Sequence, residues 1–256
     1  MMIMKNNIHI LGIFLLMLVF SQSQAKPAGN SYAEISKAHF DNDSIHKGNM
    51  PDTNLDIPRL IPKKKNGKFG YVNQTGKFII QPEYHIAVFF SEDCNLLNSS
   101  NEKAREFGTK DYATVEKNMI SYRIDQTGKR VYQYKDEDLG ICKSEYRKQQ
   151  FQAYVANGFY GIVEEAKFMN PDDPSQYRIY PKYQYLHVME GDNIGNPMVI
   201  AILNDKFGVI DVNDNIIVPF EYADIKRNFS WKLGKMFEVT KDGKNYYYID
   251  ANNKAY

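Results

Sequence analysis

The sequence has almost no surplus of charge. Its 32 Lys and Arg face 31 Asp and Glu, so bulk electrostatics steer it toward neither nucleic acid nor anionic lipid. No long stretch shows an apolar stripe at helical spacing, which argues against a helical fold. The apolar run Ile10–Phe20, with Gly12 inside it, is about 11 residues long, whereas a bilayer-spanning helix needs roughly 20. Signatures of chemistry are missing as well. The histidines His9, His39, His46, His85 and His187 show neither the HxH nor the HExxH spacing of a zinc site. There is no Gly-x-Ser-x-Gly elbow to expose a serine nucleophile. There is no glycine-rich phosphate loop either, because the glycines are dispersed. The expectation is a non-catalytic protein with no metal and no cofactor.

What is abundant is aromatic. The chain carries 19 Tyr and 15 Phe but a single Trp, a bias that favours strands. The first residues read as an address rather than as fold. Lys5 precedes the apolar run, and Ser21-Gln22-Ser23-Gln24-Ala25 follows it with small residues at the last and third-last positions. That is the order of a secretory signal, expected to be cleaved after Ala25, leaving a periplasmic or secreted chain without a stable membrane anchor. Residues 26–60, with Pro27, Gly29, Pro51 and Pro58 and few aromatics, read as an extended or partly helical leader. Export would place the two cysteines, Cys94 and Cys142, in an oxidising compartment where a bridge between them is favoured over two separate buried thiols.

Residues 61–256 repeat one unit about five times. The clearest copy runs from Asn66 to Tyr84 and contains Lys68-Phe69-Gly70-Tyr71-Val72-Asn73, Gly76-Lys77 and Pro82-Glu83-Tyr84. A second runs from Asn204 to Tyr222 and contains Lys206-Phe207-Gly208 and Pro219-Phe220-Glu221-Tyr222. Fainter copies include Ile124–Lys129 with Gly128, Asn157–Val163 with Gly161, and Gly243–Lys254. Each reads as two strands joined by a type I turn that closes on a left-handed residue. Aligned copies place Gly76, Gly128, Asp214 and Asn253 at that last position, the residue types that tolerate positive φ. The glycine after the aromatic leaves room for a neighbouring backbone or ring. The proline is expected to end the second strand, and the tyrosine to fold back onto the unit. One hairpin cannot bury both faces, so copies must stack or share a sheet. The fold class is all-β: an array of antiparallel hairpins, stacked or propeller- or solenoid-like.

These motifs resemble the WG-repeat (KWG-repeat) family, whose members carry Lys-Trp-Gly-Tyr-Ile-Asp-x-x-Gly-Lys followed by Pro-x-Tyr-Asp. Phe69 and Phe207 stand where the family has Trp, and Trp231 lies outside the motif. The resemblance implies an all-β repeat array of the kind common in bacterial exported or surface proteins, and no defined activity.

The third copy carries an insertion, residues 164–178, with Glu164, Glu165, Phe168, Asp172, Asp173 and Tyr177. Repeat arrays tend to place insertions on a binding face, so these six are the candidate binding loop. The expected function is binding of another protein, one concrete form being an immunity protein that neutralises an antibacterial toxin in the periplasm. The alternatives are a module for cell-wall glycan or peptidoglycan, using aromatic rings as stacking platforms, and an enzyme with a cryptic carboxylate site among Glu164, Asp172 and Asp173.

Overall fold

The structure, a computed structural model, describes residues 57–143, 149–189 and 193–256, all within the compact unit Lys47–Tyr256. The segment expected to be a signal peptide, and the leader up to residue 56, lie outside the described residues.

Five antiparallel sheets follow one another along the chain. The first contains β1 (Ile61–Lys65), β2 (Lys68–Val72) and β3 (Phe78–Tyr84). The second contains β4 (Ile86–Phe90), β5 (Ala113–Lys117), β6 (Ile120–Ile124) and β7 (Arg130–Gln133). The third contains β8 (Phe151–Ala156), β9 (Phe159–Glu164) and β10 (Tyr177–Tyr183). The fourth contains β11 (Tyr185–Val188), β12 (Val199–Leu203), β13 (Lys206–Ile210) and β14 (Ile216–Tyr222). The fifth contains β15 (Asp224–Ile225), β16 (Phe237–Thr240) and β17 (Tyr247–Ile249), and Ile249 bridges Ala255.

Local chemistry sets both turns of the unit. The tight turns before the Lys-Phe-Gly strands hold Asn66-Gly67, Asn118-Met119, Asn157-Gly158 and Asn204-Asp205, all at positive φ. That is the type I′ geometry whose twist suits a two-residue hairpin. The second turn behaves as the sequence predicts. Gly76 (φ 80°), Gly128 (88°), Asp214 (69°) and Asn253 (61°) are all left-handed. The leading side chain locks each one: Asn73 Oδ1 accepts from the amides of Thr75 and Lys77. Asp125 does so from Thr127 and Lys129, Asp211 from Asn213 and Asn215, and Asp250 from Asn252 and Lys254.

The glycine of the Lys-Phe-Gly step faces a bulge. Phe69 pairs with Tyr84 and Tyr71 with Ile80, so Gly70 alone opposes the residues between Ile80 and Tyr84. A Cβ on Gly70 would lie 2.4 Å from the Ile80 carbonyl oxygen. Gly161 stands at the same distance from Ile179 O, and Gly208 at 2.8 Å from Val218 O. This corrects one expectation: Pro82 and Pro219 do not end their strands but sit inside this bulge, with β3 and β14 continuing to Tyr84 and Tyr222. A proline without an N–H is accommodated at a bulge because the ladder is already interrupted there.

The closing tyrosine leads at once into the next sheet, through His85, Gln184 or Ala223. Neighbouring sheets bury apolar faces against each other in four clusters. One joins sheets one and two around Tyr71, Tyr84, Val115 and Ile124. Another joins three and four around Ile162, Tyr183, Val199 and Ile210. A third joins four and five around Val209, Tyr222, Phe237 and Ile249. The last joins five back to one: Ile61 and Val72 pack with Phe89, Met236 and Tyr256. Phe89 and Tyr248 meet edge to face at 5.0 Å between ring centroids. The array therefore closes end to end. Among the described residues no such cluster joins sheet two to sheet three, so the opening of the ring falls in mid-sequence.

Candidate functional site

Register defines what is unusual at this opening. The pairings across each Lys-Phe-Gly strand make Ile61, Ala113, Gln152, Val199 and Phe237 equivalent positions. In sheets one, two, four and five this residue is apolar and buried, whereas Gln152 is polar and exposed. Two residues on, Tyr154 stands where Val115, Ala201 and Val239 are fully buried. Side chains two apart share a sheet face. The face that sheets two, four and five bury against the preceding sheet, and that sheet one buries at Ile61 against sheet five, is thus the open face of sheet three.

Insertions cover both sides of the gap. On sheet two, residues 91–112 contain α1 (Cys94–Leu97), capped by Asp93, and α2 (Glu102–Arg105), capped by Asn101. Cys94 and Cys142 are disulfide-bonded with Cα atoms 5.4 Å apart, tying this segment to the chain after β7. Arg123, at the position of Tyr71, is buried. It donates to the carbonyls of Phe107, Ser91 and Thr109 and to Thr114 Oγ1. Burial lowers the pKa of this guanidinium, and the nearby Tyr134 and Asp93 oppose that shift. Its hydrogen bonds satisfy a charge that would otherwise be costly to bury.

On sheet three the cover is aromatic. Tyr154, Phe168 and Tyr177 form a triangle with ring centroids 4.7 to 6.0 Å apart, and Tyr180 lies 5.4 Å from Tyr177. Gly161, paired with Tyr154, lets the Ile179 carbonyl of β10 approach beside them. Tyr180 is 56% exposed and Met169 86% exposed, so the patch ends at solvent. The acids nominated from sequence serve the loop itself. Glu164 pairs with Lys167 at 2.9 Å, which draws its pKa below the usual range. Asp173 accepts from the Ser175 amide and hydroxyl and caps the 3-10 turn 174–176. Asp172 is exposed and Glu165 half-buried. Of the six nominated residues, Phe168 and Tyr177 join the aromatic face. Among the described residues no three His, Cys, Asp or Glu side chains gather into a group able to hold a metal.

A second feature escaped the sequence reading. A pocket of about 380 Å³ opens where β8, β11 and the chain after β15 meet, lined by Gln149, Gln152, Ala153, Leu186, His187, Val188, Met189, Arg227, Asn228 and Phe229. Arg227 donates to the Tyr185 hydroxyl at 3.0 Å and lies over the same ring, so its guanidinium is held in place. The signal was present in the sequence as Gln152, a polar residue at an apolar position of the repeat, but it emerges only once β8 is aligned with the other strands.

The family model described as WG containing repeat matches residues 69–94 and 207–244. No curated protein matches the chain, and no solved structure does. Each matched segment begins in a Lys-Phe-Gly strand and crosses into the next sheet, from β2 to β4 and from β13 to β16. The sequence repeat therefore bridges two sheets rather than coinciding with one. With phenylalanine in the place of the motif tryptophan, and with the other copies further degenerated, this chain carries two WG-type repeats and is similar to the WG-repeat family.

Proposed function

We propose that the chain is an exported, non-catalytic repeat protein that binds another protein through the open face of sheet three. The observation that supports this reading is the aromatic patch of Tyr154, Phe168, Tyr177 and Tyr180. It stands on a face whose counterparts elsewhere in the array are buried, and exposed clusters of rigid aromatic side chains are the usual anchors of protein interfaces. In the more specific form, the partner is an antibacterial toxin delivered by a neighbouring cell, and the chain is its periplasmic immunity protein.

The test is co-purification with the mature chain, followed by competition between sister cells with and without the gene. The expected result is a protein partner retained by the native chain and lost by Phe168→Ser with Tyr177→Ser at unchanged Tm. Partner retention by that double variant overturns the assignment to this face. Full resistance of deletion cells overturns the immunity form. Retention on purified cell wall in place of a protein moves the reading to glycan binding.

A further inference from the structure

Three sheets begin with a short strand laid on the edge of the next: β4 on β5, β11 on β12 and β15 on β16. Among the described residues sheet three has no such strand, and β8 pairs with β9 alone. The open edge of sheet one is defended, since β1 carries Pro62 followed by Lys63, Lys64 and Lys65, and proline and lysine discourage further pairing. β8, Phe151-Gln152-Ala153-Tyr154-Val155-Ala156, carries neither proline nor charge. Gln152 and Ala153 at this edge also line the pocket with Arg227.

We infer that the β8 edge and the adjoining pocket accept an extended peptide, added as a fourth antiparallel strand, with a carboxylate of that peptide set against Arg227. The molecule supplies the template for the strand, because β4, β11 and β15 occupy the equivalent place in their own sheets. The pocket supplies the charge preference. Its lining holds Arg227 and the amides of Gln149 and Gln152 and contains no Asp or Glu, while the Asn228 amide donates to Glu238. Leu186 and Phe229 offer apolar contact, Phe229 being 57% exposed. Main-chain pairing gives such a complex its affinity, and the pocket its selectivity. A fixed guanidinium favours a carboxylate through charge-assisted hydrogen bonds. This site adjoins the aromatic face along β8, but its lining includes neither Phe168 nor Tyr177.

The experiment uses the full mature chain and two dye-labelled peptides of alternating valine and threonine that differ only in one central residue, glutamate or glutamine. Fluorescence polarisation gives affinity, and hydrogen exchange gives the location. The expected result is that the glutamate peptide binds about tenfold tighter than its glutamine counterpart. Arg227→Gln abolishes that difference, and bound peptide slows exchange in β8. N-methylating alternate peptide amides on the pairing side removes binding. Phe168→Ser with Tyr177→Ser leaves peptide affinity unchanged, which separates this site from the aromatic face. Equal affinity for the two peptides, absence of binding, or protection that bypasses β8 overturns the inference.

Discussion

Tyr183 closes the third sheet and donates its hydroxyl to Oδ1 of Asp214, 2.6 Å away, which is the left-handed residue of the fourth sheet's turn. Tyr222 makes the same contact with Asn253 of the fifth sheet, at 2.5 Å. Between sheets one and two the left-handed residue is Gly128, which has no side chain to offer, and the buried Tyr84 hydroxyl meets no partner at hydrogen-bonding distance among the described residues. One residue thus serves two purposes: it bends its own hairpin and fastens the preceding sheet.

Phenylalanine substitution separates these cases. Tyr183→Phe and Tyr222→Phe each lose about 1 kcal/mol, the net worth of one hydrogen bond. Tyr84→Phe is neutral or slightly stabilising, because it removes a polar group that is buried without a partner. Chemical denaturation of the three variants checks the ordering.

The glycines differ in kind as well. Gly70→Ala and Gly208→Ala place a methyl group within 3 Å of backbone, and each is expected to cost at least about 2 kcal/mol, as overpacking does. Gly76 has open space around it and a φ of 80°. There alanine costs about 1 kcal/mol through strain alone, and asparagine less. Thermal melts of the variants test this split.

The cap of sheet two rests on the disulfide and on Arg123. The bridge closes a loop of 48 residues, worth up to about 4 kcal/mol by loop entropy. Cys94→Ser with Cys142→Ser is expected to lower Tm and to raise hydrogen exchange most within residues 91–112. Arg123→Leu leaves the carbonyls of Phe107, Ser91 and Thr109 without their donor and costs about 2 to 4 kcal/mol.

Acid acts on the junctions between sheets. Glu83 pairs with Lys117 and Glu221 with Lys241. Each glutamate pKa is drawn down, first by its lysine. A carboxyl with a depressed pKa in the folded state stabilises the fold above the ordinary glutamate value of about 4.3, and this stability is lost as pH falls below it. Tm therefore declines below about pH 4.3, and Glu83→Gln with Glu221→Gln flattens that decline.

The repeat was legible because turn chemistry is local. Positive φ at Gly76, Gly128, Asp214 and Asn253 follows from residue type, and the recurrence of glycine after the aromatic at Gly70 and Gly208 marks a close approach. The bulge that holds Pro82 was not legible, since it depends on how β3 meets β2. The gap was also hidden. Nothing near Gln152 shows that its counterparts are buried, because that burial comes from neighbouring sheets. Phe168 and Tyr177 were found as an insertion, but their partners Tyr154 and Tyr180 lie on strands that look ordinary by themselves.

Ile61 and Val72 are covered by Met236 and Tyr256, residues of the fifth repeat. A chain cut short before Met236 therefore loses the apolar cover of its first described hairpin. Deleting only Lys254–Tyr256 should therefore loosen Ile61 and Val72, whereas a cut between residues 143 and 149 falls at a boundary that no apolar cluster spans among the described residues.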